Sequence, residues 1–274
     1  MSPWSYKSIS VSLAISITLV LQFSCKDPFQ YNPNEVLLPD DHKNLNQKSI
    51  SAIEAQPLKD TLNFIVIADP HHDYENLEDF VGKVNSMPDI SFVLVAGDLT
   101  SFGLQTEFIT FCDILHEVKV PCVAVIGNHD ILAKGEFVYK EMFGPTDFSF
   151  HCNGNKFVCL NSNSREYNFN GLVPDVGWLN QQLANAYEFN NIFVISHIAP
   201  FDADFDSNLE QGYKDALGQT ENVRMSLHGH SHDYYYADHY YDGVMYLITD
   251  DIKDRSFSLI KAWDQSFTTE KISY

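Results

Sequence analysis

LNFIVIAD, residues 62–69, is a run of β-branched and aromatic side chains that stops on an acid. Four later stretches are built the same way. SFVLVAGD (91–98) ends at Asp98, and CVAVIGNHD (122–130) reaches Asn128, His129 and Asp130. NIFVISH (191–197) ends at His197, and RMSLHGHSH (224–232) reaches His230 and His232. Near-continuous Val and Ile runs mark strands buried on both faces. Helical patterns over roughly 75–86 and 104–117 separate the first three runs, and the steps from Asp69 to Asp98 and from Asp98 to Asn128 are 29 and 30 residues. That is the length of a βαβ unit, which sets strands parallel with right-handed crossovers. Strands that share one sheet present their C-terminal ends along one edge, where open α/β sheets bind ligands. The expectation is an α/β fold whose polar strand ends meet.

The side chains gathered there are Asp69, His71, Asp98, Asn128, His197, His230 and His232. They offer oxygen and nitrogen donors and no sulfur, which suits Mn, Fe or Zn. Seven donors exceed one ordinary site and fit two ions with a shared carboxylate. Two ions about 3.5–4 Å apart can clamp the attacking and leaving oxygens of a phosphoryl displacement. His230 and His232 lie two apart in an extended segment and point the same way. His228 has the same parity but lies within the strand, and is expected to be buried or to support a ligand. Gly229 is expected to permit a close backbone approach. Asp130 is expected to cap the following segment, His72 to be a surface or cleft histidine, and the aromatics of YYYADHYY (234–241) to pack. The loops 161–171 and 199–215 are candidates to border the site. Asp202, Asp204 and Asp206 would make one rim acidic.

The ordered blocks Asp69-Pro70-His71, Gly97-Asp98, Gly127-Asn128-His129-Asp130, His197 and Gly229-His230-Ser231-His232 resemble those of the calcineurin-like metallophosphoesterase superfamily. The resemblance covers about residues 61–262. It implies a two-sheet β-sandwich flanked by helices, in four layers α/β/β/α, which suits the strand-like runs near 224–228, 234–240, 244–249, 256–262 and 267–272. It also implies one metal on Asp69, His71, Asp98 and His232, and a second on Asp98, Asn128, His197 and His230. A hydroxide between them would attack the phosphorus of a small or moderate-size phosphomonoester or phosphodiester. His129, outside the ligand set, would stabilise charge and protonate the leaving oxygen. Gly97-Asp98 continues as Leu99-Thr100-Ser101, without the tyrosine of purple acid phosphatases or the Asp-Arg of protein serine/threonine phosphatases. Size and motif set are similar to those of cyclic-nucleotide phosphodiesterase-like enzymes, an analogy rather than a reading of substrate contacts. The alternative is a metal-binding envelope lipoprotein without turnover; His129, which such a site would not need, speaks against it.

The chain has 274 residues, 45% of them hydrophobic, enough for one sizeable core. A net charge of −20 with three arginines makes nucleic acid a poor partner. The apolar run at 9–21, followed by QFSC, resembles a bacterial lipoprotein leader. Residues 1–25 are then a signal peptide with Cys25 lipidated, and the protein is exported to the cell envelope and membrane-anchored. The polar stretch 26–60 reads as a tether and 61–274 as the domain. Cys112, Cys122, Cys152 and Cys159 could pair in an exported protein or stay as buried thiols. The sequence leaves the oligomeric state open.

Overall fold

The computed structural model describes residues 36–274. The expected signal peptide and Cys25 lie outside the described residues. No helix among the described residues is long and apolar enough to cross a membrane.

The elements run α1 (Leu45–Glu54), β1 (Leu62–Ile67), α2 (Tyr74–Ser86), β2 (Phe92–Val95), α3 (Gln105–Leu115), β3 (Cys122–Ala124), α4 (Gly135–Phe143), β4 (Phe148–Cys152) and β5 (Asn155–Cys159). Then come α5 (Val176–Leu183), β6 (Asn191–Ile195), α6 (Ser207–Gly218), β7 (Val223–His228), β8 (Tyr235–Ala237), β9 (Met245–Ile248), β10 (Ser256–Trp263) and β11 (Ser266–Ser273).

The five runs divide between two sheets rather than sharing one. The first sheet has the order β11-β10-β1-β2-β3, with β1, β2 and β3 parallel. The second has the order β4-β5-β6-β7-β9-β8, with β5, β6, β7 and β9 parallel. Hydrophobic periodicity marks a strand as doubly buried but does not say which strand it pairs with.

Alternation along the strands builds the layers. Phe64 and Val66 of β1 and Phe92 and Leu94 of β2 face Phe157, Phe193, Ile195, Met225 and Leu227 of the second sheet in one core. Phe64 and Phe157 meet edge to face, with ring centroids 5.2 Å apart. Outside the second sheet, Leu179 of α5 and Tyr213 and Leu217 of α6 pack on Val158, Ile192 and Val194. Outside the first, Phe80 of α2 meets Phe257 of β10 at 5.6 Å. The chain is thus a two-sheet sandwich between helical layers.

Two expectations need correction. The compact body begins at Leu38, so the stretch read as a tether contains α1, which packs beside β3 and β4. Its buried Ile53 joins the inter-sheet core, and the Asn46 side chain donates to Ala124 O at 2.8 Å and accepts from Ala124 N at 2.9 Å. Asn46 thereby completes the open edge of β3. Second, the run expected over 234–240 pairs only at 235–237. Asp238 turns the chain instead, accepting from Asp242 N and Gly243 N. All four described cysteines are free.

Candidate metal centre

The strand ends of both sheets converge on one site. The turns after β1, β2 and β3 carry Asp69 and His71, Asp98, and Asn128; those after β6 and β7 carry His197, and His230 and His232. Five of these seven residues have left-handed backbones: Asp69 (φ 55°), His71 (46°), Asp98 (54°), His230 (70°) and His232 (60°). Non-glycine residues reach that region at a cost of order 1–3 kcal/mol each, and such strain clusters at functional sites.

The carboxyl and imidazole donors fall into two groups whose ligating atoms lie within 4.8 Å of one another: Asp69, His71 and His232, and Asp98, His197 and His230. Asp98 links them, its Oδ2 lying 3.8 Å from His71 Nε2 and 3.3 Å from His197 Nε2. Asn128 Oδ1 joins the second group, 3.1 Å from His197 Nε2 and 3.0 Å from His230 Nδ1. His232 Nε2 lies 3.5 Å from Asp69 Oδ1. Ligands of one ion held at about 2.1 Å are themselves about 3–3.5 Å apart, so these spacings match a coordination shell.

The surroundings orient the donors. His197 Nδ1 donates to Ala96 O at 2.7 Å and His71 Nδ1 to Thr100 O at 3.1 Å, which turns each Nε2 towards Asp98. Burial pushes the Asp98 carboxyl up, but His197 and His71 draw it below the usual carboxylate range. Burial likewise pushes the His197 imidazole down, and Asp98 beside it reverses this and holds it at about 10, so its Nε2 keeps a proton that a metal ion would have to displace. Burial lowers His71 and His230, which keeps them neutral. Ionised carboxylates and neutral imidazoles are what a hard or borderline metal requires. The donor set therefore fits metal.

Two glycines make the approach possible. A Cβ on Gly127 would lie 2.1 Å from Asp98 N and 2.2 Å from its Oδ1, and one on Gly229 would lie 2.5 Å from Ala68 Cβ. The second is the close approach expected from the sequence.

His129 lies apart from both donor groups. Its backbone N donates to Asp98 Oδ1 at 2.9 Å, its Nδ1 donates to Ser101 O at 2.8 Å, and its ring meets that of His71 edge to face at 4.8 Å. Asp130 does not cap the following segment as expected but ties two turns together. Fully buried, it accepts from Leu99 N, Thr100 N, Thr100 Oγ1 and Gly127 N, joining the two turns that carry Asp98 and Asn128. Burial, then the charge of Asp98, pushes its carboxyl up to about 7. His228 is buried behind the centre. Burial pushes its imidazole down to about 3, and its Nδ1 lies 3.0 Å from Ser196 O.

Both suspected loops border the centre. His230 Nε2 lies 3.2 Å from Asp204 Oδ2, and Arg165 pairs with the same carboxylate. Asp206 turns away and caps α6 through Asn208 N. The aromatics of 234–241 pack only in part: Tyr235, His239 and Tyr240 gather around Phe201, whereas Tyr236 and Tyr241 are exposed. A cleft of about 630 Å³ opens beside His71, His129 and His232, and His72, Phe102, Asp251 and Lys253 also line it. Phe102 and Lys253 escape motif reading, because only the folded loops bring them to the cleft.

Comparison with known proteins agrees with this geometry. The family profile described as calcineurin-like phosphoesterase matches residues 62–234. The chain belongs to that family. Its members hydrolyse phosphate esters, and the chain is a hydrolase of that class. A probable cyclic nucleotide phosphodiesterase of Rhodopseudomonas palustris is 30% identical over 81 residues, 25% of this chain and 30% of that protein's length. One of Ruthia magnifica is 24% identical over 189 residues, 62% of this chain and 78% of that protein. Among solved structures, a dimetal phosphatase of Danio rerio superposes with a TM-score of 0.64 at 13% identity, over 77% of this chain and 95% of that one. GAP50, the anchor in the inner membrane complex of Plasmodium, superposes with a TM-score of 0.60 at 12% identity, over 78% and 85% of the two chains. These two likenesses concern the fold alone.

Proposed function

We propose that this calcineurin-like phosphoesterase is a two-metal phosphodiesterase of the bacterial cell envelope, acting on small, singly charged phosphodiesters. The observation that carries the reading is Asp98, one carboxylate facing an imidazole from each donor group. Asp69, His71 and His232 would hold one ion and Asn128, His197 and His230 the other, with Asp98 shared; Mn, Fe and Zn suit the set. Such ions supply Lewis acidity and make water a nucleophile near neutral pH.

The chain's own residues do the rest. His129 commits its Nδ1–H to Ser101 O, so that in the imidazolium form its Nε2–H is the proton given to the leaving oxygen, the ring becoming neutral. Ser101 O fixes the ring, so that proton is held in one direction. Asp202, Asp204 and Asp251 near the centre outnumber Lys253 in the cleft and Arg165, which pairs with Asp204, and so disfavour a dianionic monoester more than a monoanionic diester. The names of the two curated relatives support the diester as well. The envelope location rests on the apolar run 9–21 and Cys25.

The test uses the full chain in detergent with bis-p-nitrophenyl phosphate and p-nitrophenyl phosphate, with and without Mn, Zn or Fe. Diester hydrolysis is expected to require metal and to exceed monoester hydrolysis. His129→Ala is expected to keep its metal and lose about 100- to 10,000-fold in turnover. Asp98→Asn is expected to lose both metal and turnover. Undiminished turnover in chelated protein would overturn the metal reading, and preference for the monoester would overturn the diester reading.

A further inference from the structure

A second group of metal-competent side chains lies away from the strand ends. His42, in the 3-10 turn Asp40–His42 ahead of α1, lies beside Asp113 and His116 of α3 and its C-terminal cap. The ligating atoms of all three lie within 4.8 Å of one another. His42 is buried, whereas Asp113 and His116 are exposed to solvent. His42 and His116 meet edge to face, with centroids 5.6 Å apart.

The hydrogen-bonding pattern is what singles this cluster out. His42 Nδ1 lies 3.0 Å from Asp41 Oδ1, and its Nε2 lies 3.0 Å from Asp113 Oδ1. A neutral imidazole carries one proton. Once Nδ1–H donates to Asp41, the Nε2 lone pair confronts a carboxylate oxygen, acceptor against acceptor. Either a second proton or a cation must lie between them. His116 offers a further imidazole on the open side, three residues along the helix from Asp113 and on the same face. The C-terminal end of α3 adds the negative end of its dipole, which favours a cation there. Asp41 stands where a carboxylate orients a metal-bound histidine.

We propose that His42, Asp113 and His116 form a Zn²⁺ site that fastens the segment preceding α1 to the end of α3. Two imidazoles, one carboxylate and a water make a four-coordinate set that suits zinc. The role of the ion is structural. It ties the chain, at the point where it leaves the N-terminal stretch, to the helical layer of the first sheet. This site is independent of the strand-end centre and shares no residue with it.

The full chain in detergent would be stripped with chelator, dialysed against Zn²⁺ and analysed for zinc per chain, alongside His116→Gln and Asp113→Asn. Each variant is expected to hold about one zinc fewer than the unsubstituted chain, with diester hydrolysis within about twofold of it. Zinc is expected to slow amide exchange over residues 40–54 in the unsubstituted chain and in Asp98→Asn, but in neither of the other two variants. Equal zinc content in His116→Gln and the unsubstituted chain, or exchange over 40–54 indifferent to zinc, would overturn the proposal. Asp113→Asn keeps the shape of the side chain, so its zinc content reads the site even if His116→Gln disturbs the helix end.

Discussion

Gly127 contributes only the absence of a side chain, and the centre depends on it. Gly127→Ala would place a methyl carbon against the Asp98 backbone and carboxylate. Asp98 must then move, and a displacement of about 1 Å at a reacting centre costs on the order of 100-fold in rate. Metal analysis and turnover should both fall, while circular dichroism stays near that of the unsubstituted chain. Asp130 is the complementary case, a side chain that receives four donors and offers none. Asp130→Asn turns one acceptor into a donor facing N–H groups, and about 1–3 kcal/mol of stability should be lost, measurable by urea unfolding. The seven candidate ligands and His129 could be read from the chain because each block couples an apolar run to a donor of fixed type. Asp130 could be seen but its role could not, since its four donors come from two turns some 30 residues apart in sequence.

The strands were legible element by element, whereas α1 was not. Runs such as FVLV and NIFVI are continuous and β-branched, so composition alone marks them. The helix LNQKSISAIE is largely polar and reads as linker, because what holds it is tertiary: Ile53 in the core and Asn46 on the edge of β3. Division into two sheets was equally hidden from periodicity and came instead from the family resemblance. An exposed strand edge invites pairing with another chain, and Asn46 covers this one. Asn46→Ala should cost about 1–3 kcal/mol by leaving the buried Ala124 N–H without its partner. Chemical denaturation measures the loss. Tyr139 Oη, which also donates to Ala124 O at 2.7 Å, should keep the strand itself in place.

The folded body keeps its four described thiols closed. Burial pushes Cys122 up to about 12 and Cys152 to about 11, and raises Cys112 and Cys159 as well. A raised thiol pKa leaves little thiolate at neutral pH, and the fraction grows about tenfold per pH unit below the pKa. Iodoacetamide at pH 8 should therefore label these four slowly in the folded chain, faster as pH rises, and fastest after unfolding restores a pKa of about 8.5. Peptide mapping distinguishes them from Cys25. The sandwich also divides its candidate ligands by sheet: Asp69, His71, Asp98 and Asn128 follow strands of the first, and His197, His230 and His232 follow strands of the second. An ion held by both sets would be gripped from both sides, as a rivet through the seam. A chain whose halves have not docked, or have begun to part, presents only half a socket and holds metal weakly. Occupancy would then report complete assembly, and ion binding to the docked sandwich alone would stabilise it by mass action.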